Sequence, residues 1–273
     1  GKTFMIINNT GSEPIGDGFI DYAEGQFFNN FLGSGLSAKI TYVGGDGNDV
    51  VLTVVARPIF TDSPDSQTLC SGNSATFTVA SSNAASYKWQ ARSNSGSSWG
   101  NLTNVSPYSN VTTSTLSISD VTGLNNYEYR CVATNDIGST NSDPATLTVT
   151  PLPNATINYS GSPFAQNAAP VSVNRTGTAG GGYTATPTGL TIDDQTGQIT
   201  PSSSLINNYV VTYTIPASGG CAQFTTTASV EIVATPAPDY TITTTNGHLI
   251  VTDMAGNSDN LEMSENGTNI LFL

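Results

Sequence analysis

Basic residues are the scarcest feature of this sequence. Lysine and arginine number 7 against 20 aspartate and glutamate residues, which gives a formal net charge of −13. Nucleic-acid binding requires clustered Lys or Arg side chains that neutralise phosphates, and anionic membrane surfaces attract polybasic segments. The composition therefore excludes nucleic acid as a natural partner and disfavours anionic membranes.

Histidine and long apolar runs are also scarce. The single histidine, His248, cannot form a catalytic triad without a nucleophile and an orienting acid. The sequence has no H-E-x-x-H motif and no zinc-ligand spacing, and it does not predict paired carboxylates in a common pocket. No apolar run reaches transmembrane length, and none opens the chain as a signal peptide would. We therefore predict that the chain is not an enzyme, binds no cofactor and does not insert into a membrane. We further predict that it is an internal piece of a longer exported protein.

Strand and turn formers dominate what remains. Thr and Val favour strands, whereas Gly, Asn and Ser favour the turns between them, so the sequence predicts an all-β protein. A length of 273 residues suggests about two domains. Three cysteines in such a chain indicate an oxidising compartment, with one bridge and one cysteine left over. The acidity indicates solubility, or alternatively carboxylates that collect Ca²⁺.

The stretch from Cys70 to Cys131 carries the clearest pattern. It contains Cys70, then Trp89, then Tyr129 two residues before Cys131. This order is typical of an immunoglobulin-type β-sandwich, in which a tryptophan packs over an inter-sheet disulfide and a tyrosine fixes the corner before the second cysteine. The pattern implies a Cys70–Cys131 bridge over Trp89 and Tyr129 in the core. A bridge across about sixty residues would stabilise the fold by roughly 4 kcal/mol.

A longer pattern runs through residues 57–151 and consists of Tyr87, Trp89, Gln90, Trp99, Leu102, Tyr108, Leu116, Ile118, Val121, Tyr129, Arg130 and Cys131. Through these residues the segment resembles the bacterial Ig-like modules of large Bacteroidetes surface proteins. The exposed aromatics Trp99 and Tyr108 are candidates for stacking against a sugar. Alternatively, Trp99 covers the edge of the sandwich after the hairpin at Asn94–Ser97.

Residues 152–236 resemble another Ig-like repeat, common in gliding-associated adhesins, through INYSGSPF, GLTID, TGQI and GGC. Relatives of that module carry a cysteine after the SPF triplet, where this chain has Ala165. Cys221 thereby loses its expected partner, so it is either free or bridged to another chain.

The two ends of the chain resemble β-solenoid strand repeats of autotransporter-like surface proteins. Residues 1–56 resemble a closing unit, and residues 237–273 an opening unit with Asn-Gly hairpin turns. The segment GGDGNDVVL at residues 44–52 also matches one nonapeptide of calcium-binding β-rolls. Asp46 and Asp49 are therefore weak calcium candidates, and the alternative is a tight turn before the last strand.

Together these features predict tandem Ig-like β-sandwiches flanked by short β-solenoid-like or β-hairpin segments. The corresponding function is a structural or adhesive module on a bacterial cell surface, with other copies or neighbouring repeats as partners. The last strands of one copy could complete the first sheet of the next, giving an open head-to-tail filament. The alternatives are a glycan-binding module and an accessory region of a secreted enzyme.

Overall fold

The chain divides into two compact units. The computed structural model describes residues 2–16, 18–19 and 21–236, together with the backbone of four strands between residues 240 and 272. Unit 1 comprises Gly1–Pro153 and Ala217–Gln223, and unit 2 comprises Asn154–Pro216 and Phe224–Leu273. Within the described part, no helix is long and apolar enough to cross a membrane. The domain boundaries at 57, 152 and 237 stay predictions.

The first sheet of unit 1 is antiparallel, with strand order β1-β4-β3-β2. Its strands are β1 (Thr3–Ile7), β2 (Phe27–Phe28), β3 (Ser37–Gly44) and β4 (Asp49–Val55). A short 3-10 turn at Phe31–Gly33 precedes β3. Buried side chains are concentrated on the two central strands, whereas all five residues of the edge strand β1 are exposed. As far as the described residues go, the sheet therefore presents an apolar strand at an open edge.

The rest of unit 1 is a two-sheet sandwich. Its strands are β5 (Ile59–Asp62), β6 (Gln67–Cys70), β7 (Ala75–Thr78), β8 (Ala80–Ser82), β9 (Ser86–Arg92), β10 (Gly100–Asn101), β11 (Tyr108–Ser109), β12 (Thr115–Ile118), β13 (Tyr127–Asn135), β14 (Gly138–Asn141) and β15 (Ala145–Thr150). One sheet has the order β10-β9-β13-β15-β6, with β14 also paired to β13, and the other has the order β11-β12-β7. The first strand β5 pairs with β8, whereas β6 pairs in parallel with β15. These two sheets form the immunoglobulin arrangement.

Alternation of side chains along β13 shows why this sequence forms the sandwich. Tyr129, Cys131 and Ala133 are fully buried, and the residues between them face outward. Successive strand residues point to opposite faces, so one face of β13 supplies the core and the other is solvated. Trp89 is fully buried opposite Cys131, and its Nε1 donates a hydrogen bond to the carbonyl of Thr113 at 2.9 Å.

Tyr129 does not fix a corner of the backbone, contrary to the expectation from sequence. Its hydroxyl lies 3.4 Å from the hydroxyl of Tyr108, and its ring stacks on Phe77 with centroids 5.0 Å apart. Burial, reinforced by Tyr108, holds the pKa of Tyr129 well above its usual value. Tyr129 is therefore a neutral core residue between the two sheets.

Unit 2 is a second β-sandwich. Its strands are β16 (Ala155–Asn158), β17 (Phe164–Ala165), β18 (Asn174–Gly177), β19 (Gly182–Thr186), β20 (Asn207–Ile215) and β21 (Phe224–Val233). A four-stranded sheet has the order β17-β21-β20-β19, and β16 pairs with β18. Isolated bridges join Ile199 to Val171 and to Ile192, and a 3-10 turn occupies Pro201–Ser203. The prediction of an all-β, tandem Ig-like fold is confirmed.

The tyrosine corner lies in unit 2 instead. Tyr209 is buried near the start of β20, and its hydroxyl donates to the carbonyl of Leu205, four residues upstream, at 2.8 Å. This hydrogen bond is the defining feature of the tyrosine corner in immunoglobulin-type sandwiches. The corner therefore occurs in a domain whose sequence lacks the Cys-Trp-Cys pattern.

Four further strands follow as two antiparallel pairs. They are β22 (Tyr240–Thr245), β23 (His248–Asp253), β24 (Met263–Asn266) and β25 (Asn269–Phe272). The turns predicted at 246–247, 255–257 and 266–267 fall wholly or partly outside the described residues. The interpretation of 237–273 as an opening solenoid unit therefore stays a prediction.

Replacing Tyr209 with phenylalanine tests the corner. Tyr209→Phe removes the hydroxyl that reaches Leu205 but keeps the buried ring, so we expect a loss of about 1 kcal/mol in the free energy of unfolding. Urea denaturation followed by circular dichroism measures this loss. Tyr127→Phe is the matched control, because the Tyr127 hydroxyl makes no hydrogen bond to the described residues. Equal losses for both variants would contradict a specific role for the corner.

Candidate functional site

The disulfide joins Cys70 to Cys221, with their Cα atoms 4.6 Å apart and a sequence separation of 151. Cys131 is a free, buried cysteine. The expectation of a Cys70–Cys131 bridge is therefore wrong, and so are both alternatives for Cys221. Cys221 is neither free nor bridged to another chain.

Strand register explains why Cys70 cannot reach Cys131. Leu147 on β15 is level with Gln67 on β6 and with Tyr127 on β13. Cys70 lies three residues beyond this level along β6, which runs parallel to β15. Cys131 lies four residues beyond it along β13, which runs the opposite way. At about 3.3 Å per residue, the two cysteines are on the order of 20 Å apart, whereas a disulfide needs Cα atoms within about 7 Å.

Residues 217–223 bring Cys221 to Cys70. They connect β20 to β21 but are grouped with unit 1. The loop is closed by two backbone hydrogen bonds between Ser218 and Cys221, of 3.1 and 2.9 Å. Gly219 and Gly220 both have positive φ angles. A Cβ on Gly219 would lie 2.3 Å from Thr150 Oγ1, and one on Gly220 would lie 2.8 Å from Leu69 Cα. The GG of the GGC segment is therefore required for the loop to pack on β6 and β15.

The thiol of Cys131 has low reactivity. Its side chain is fully buried, and burial raises the pKa of its thiol to about 11. The thiolate is the reactive form of cysteine, so a raised pKa and burial both suppress its chemistry. Its backbone N–H donates to Ser142 Oγ at 2.9 Å. Cys131 is a small core residue.

Trp99 is half-buried on the outer face of the sheet that contains β9 and β13. The guanidinium carbon of Arg92 lies 4.6 Å from the centroid of the Trp99 ring, and that of Arg130 lies 4.3 Å from it. Both distances fall within the range of cation–π contacts. Trp99 is therefore packed against two arginines of its own sheet and is not a bare aromatic platform.

Tyr108 lies on the other side of that sheet from Trp99. Its ring packs 6.3 Å from Tyr129, which points into the core, and burial raises the pKa of Tyr108. Arg92 and Arg130, by contrast, occupy outward positions on their strands. The structure thus does not bring the two candidate sugar-binding aromatics together.

Asn48 and Asp49, at the end of the Gly-rich turn before β4, hydrogen-bond to the backbone of residues 9–11. Asp49 is buried, and its Oδ1 accepts a hydrogen bond from the backbone N–H of Asn9 at 2.8 Å. Asp46 is exposed. Asn48 is also buried, and its Oδ1 has no hydrogen-bond partner among the described residues. Ca²⁺ takes six to eight oxygen ligands, and the described residues contain no group of three or more potential metal-binding side chains. These contacts fit a tight turn, and calcium at Asp46 and Asp49 stays a hypothesis.

One motif has a catalytic counterpart elsewhere. Residues 96–100, GSSWG, match G-x-S-x-G, which in hydrolases places a serine on a sharp turn between a strand and a helix. Here the segment lies in the connection between the paired strands β9 and β10. The pattern therefore lacks the structural context that exposes a nucleophile.

No protein-family model and no curated protein matches this chain. Among solved structures, a three-Ig fragment of titin, I67–I69, aligns over 80% of this chain and 87% of its own, with 12% identity and a TM-score of 0.44. Extracellular domains 3–5 of Drosophila OTK align over 74% and 72%, with 13% identity and a TM-score of 0.43. The insect immune protein hemolin aligns over 78% and 57%, with 10% identity and a TM-score of 0.42. At these identities and scores we draw no functional conclusion from the similarities.

Removing the bridge tests its place in the fold. A disulfide that closes so long a loop restricts the unfolded chain strongly, so we expect Cys221→Ser to lower the free energy of unfolding by roughly 3–5 kcal/mol. Cys70→Ser should give the same loss, and the double variant no more than either alone. Denaturant titrations with and without dithiothreitol measure these differences.

Cys131→Ala is the control for that series. It keeps the bridge, so dithiothreitol should destabilise it as much as it destabilises the wild-type protein. Loss of the dithiothreitol effect in Cys131→Ala, with retention in Cys221→Ser, would contradict the pairing.

Proposed function

We propose that the chain is a non-catalytic structural or adhesive module of an extracellular bacterial surface protein, in which it acts as a spacer that carries tension. The observation that carries this proposal is the Cys70–Cys221 bridge. A disulfide persists in oxidising compartments and not in a reducing cytosol. The location outside the cell therefore rests on the same bond as the mechanical role.

The bridge limits how far the chain can extend. Force applied at the two ends of the protein passes from residue 70 to residue 221 through one covalent bond, and the chain between these residues, whose sequence separation is 151, carries no load. Extended chain spans about 3.3–3.6 Å per residue, so the bridge shortens the maximum end-to-end extension of the chain by about 500 Å. Most of both sandwiches lies inside this closed span. A spacer built in this way keeps its domains folded while its ends are pulled.

The open edge of the first sheet supports association with a further strand. Among the described residues the backbone of β1 pairs on one side, with β4, and the side chains of Phe4, Met5 and Ile6 are 45%, 53% and 48% exposed. An apolar depression of about 480 Å³ is lined by Phe4, Phe31 and Leu36, and one of about 450 Å³ by Ile6, Tyr22 and Phe28. Exposed apolar edge strands are templates for pairing with another chain.

We infer that the strand on this edge comes from another copy or from a neighbouring repeat of the parent protein, as in a fibre. In the part of the chain that the structure describes, β22–β23 and β24–β25 are two-stranded, and a two-stranded sheet is marginally stable alone and gains from a third strand. Negative-stain micrographs that show isolated monomers alone at high protein concentration would contradict this assembly.

The second candidate function is glycan binding. The observation in its favour is the outer face around Trp99, where an indole, two guanidinium groups and two side-chain amides lie together. The third candidate, an accessory region of a secreted enzyme, depends on what adjoins this chain in the parent protein.

Stretching single molecules tests the tension-bearing role. With handles at the two ends, the fully stretched oxidised protein should be shorter by about 500 Å than the protein in dithiothreitol. Cys221→Ser should show the full length under both conditions, and Cys131→Ala should behave as the wild type. A shortfall of about 200 Å, the length between residues 70 and 131, would contradict the account.

A further inference from the structure

The outer face of β9 and β13 concentrates positive charge in an acidic chain. Lys88, Gln90 and Arg92 alternate along β9 with residues that belong to the core or pack against it, and Glu128 and Arg130 do so along the neighbouring β13. Three of the 7 basic residues of the chain therefore share this face. Glu128 is the only carboxylate at the outward positions of these two strands. We call this surface, with Trp99 and Asn101, the basic face.

The two arginines of the basic face have different partners. Arg92 forms an ion pair with Glu128, opposite it on the neighbouring strand. Arg130 Nε donates to Gln90 Oε1 at 2.8 Å, and Gln90 Nε2 in turn donates to Asn101 Oδ1 at 2.9 Å. The ion pair of Arg92 is the only one found among the described residues. The charge of Arg130 is thus oriented by an amide and is not neutralised by a carboxylate.

Packing holds the Arg130 guanidinium in place. Its carbon lies 4.3 Å from the Trp99 centroid, and its Nε is fixed by Gln90. Partial burial and, after it, the neighbouring Arg92 lower the pKa of Arg130, so both disfavour its charged form. The terminal nitrogens of an arginine oriented in this way can donate two parallel hydrogen bonds to one oxyanion. An anion would relieve the repulsion between the two guanidinium groups.

We propose that the basic face binds an anionic saccharide, with its carboxylate or sulfate on the terminal nitrogens of Arg130. Gln90 and Asn101 position that guanidinium and offer amide groups to sugar hydroxyls. The aromatic ring of Trp99 backs the site. This inference deepens the glycan-binding candidate and does not depend on the tension-bearing role.

An acidic peptide fits this face less well than a saccharide. Extended peptides bind sheets chiefly by adding a strand at an open edge. The basic face is formed by β9 and β13, which are paired on both sides, β9 with β10 and β13, and β13 with β9 and β15. Within the described residues, this pairing leaves no row of free backbone groups on the two strands, so recognition must come from side chains. The side chains in contact with Arg130 or with its partner Gln90 are two amides and an indole, and Lys88 and the Arg92–Glu128 ion pair complete the face.

Titration calorimetry with defined oligosaccharides in low salt tests the proposal. The probes are oligogalacturonate, which carries carboxylates, a heparin-derived oligosaccharide, which carries sulfates, a neutral cello-oligosaccharide and poly-glutamate. We expect binding of at least one of the two anionic saccharides, and the stronger one identifies the oxyanion. The neutral oligosaccharide should not bind, and poly-glutamate should bind more weakly than the saccharide. Failure of both anionic saccharides to bind, or tighter binding of poly-glutamate, would overturn the proposal.

Variants locate the site. Arg130→Ala should weaken binding about tenfold or more, because it removes charge-assisted hydrogen bonds. Arg130→Lys keeps the charge but loses the paired donors, so it should restore binding only in part. Arg57→Ala removes the same charge from an exposed position outside the basic face and should leave affinity unchanged. Equal losses in Arg57→Ala and Arg130→Ala would show attraction by net charge alone and would overturn the assignment. The melting temperatures of all three variants establish that each is folded.

The outcome is separable from the proposed structural role. The effect of the bridge on the maximum extension does not depend on Arg130, and saccharide binding does not depend on Cys221. A protein that stretches as expected but binds no anionic saccharide would leave the spacer role standing and remove only the binding site.

Discussion

The covalent bond between Cys70 and Cys221 is the constraint on which the rest of this molecule depends. It fastens the loop 217–223 against β6 and β15, where two glycines allow the backbones to approach closely. Because the bridged residues lie far apart in sequence, the bond restricts the unfolded chain more than a bridge within one sandwich would. It also decides which part of the chain can extend under force. Stability, redox dependence and mechanical response all follow from one pair of sulfur atoms.

The strand pattern was accessible from sequence because it depends on local alternation. Along β13 every second residue is apolar, and this period of two is sufficient to place Tyr129 and Cys131 on the inward face. The pairing of cysteines was not accessible, because it depends on register between strands distant in sequence. Cys70 ends a strand that pairs in parallel with β15, whereas the β7 residue packed against Trp89 and Tyr129 is Phe77. The order Cys, Trp, Tyr-x-Cys is therefore present without the bridge it usually marks.

For the candidate binding residues, too, local sequence predicts the individual side chain but not its neighbours on other strands. Trp99 was identified from its local sequence, but the guanidinium group of Arg130, which is decisive for its environment, comes from a strand about thirty residues later. Residues that are adjacent only across a sheet carry no common signature in one sequence. The tyrosine corner was also not predictable from sequence. The Tyr-x-Cys pattern predicts the corner at Tyr129, whereas Tyr209, which makes the corner hydrogen bond, has no cysteine two residues after it. The low number of basic residues, by contrast, is visible in the sequence, and it makes a surface that carries several of them unusual for this chain.

Peptide mapping of the native, unreduced protein tests the pairing most directly. Free thiols are first alkylated under native and then under denaturing conditions, and the digest is analysed by mass spectrometry without reduction. The account predicts one cross-linked peptide pair that contains Cys70 and Cys221, with Cys131 alkylated only after denaturation because its thiol is buried and its pKa is raised to about 11. A cross-linked pair that contains Cys70 and Cys131, with Cys221 alkylated in the native protein, would contradict it.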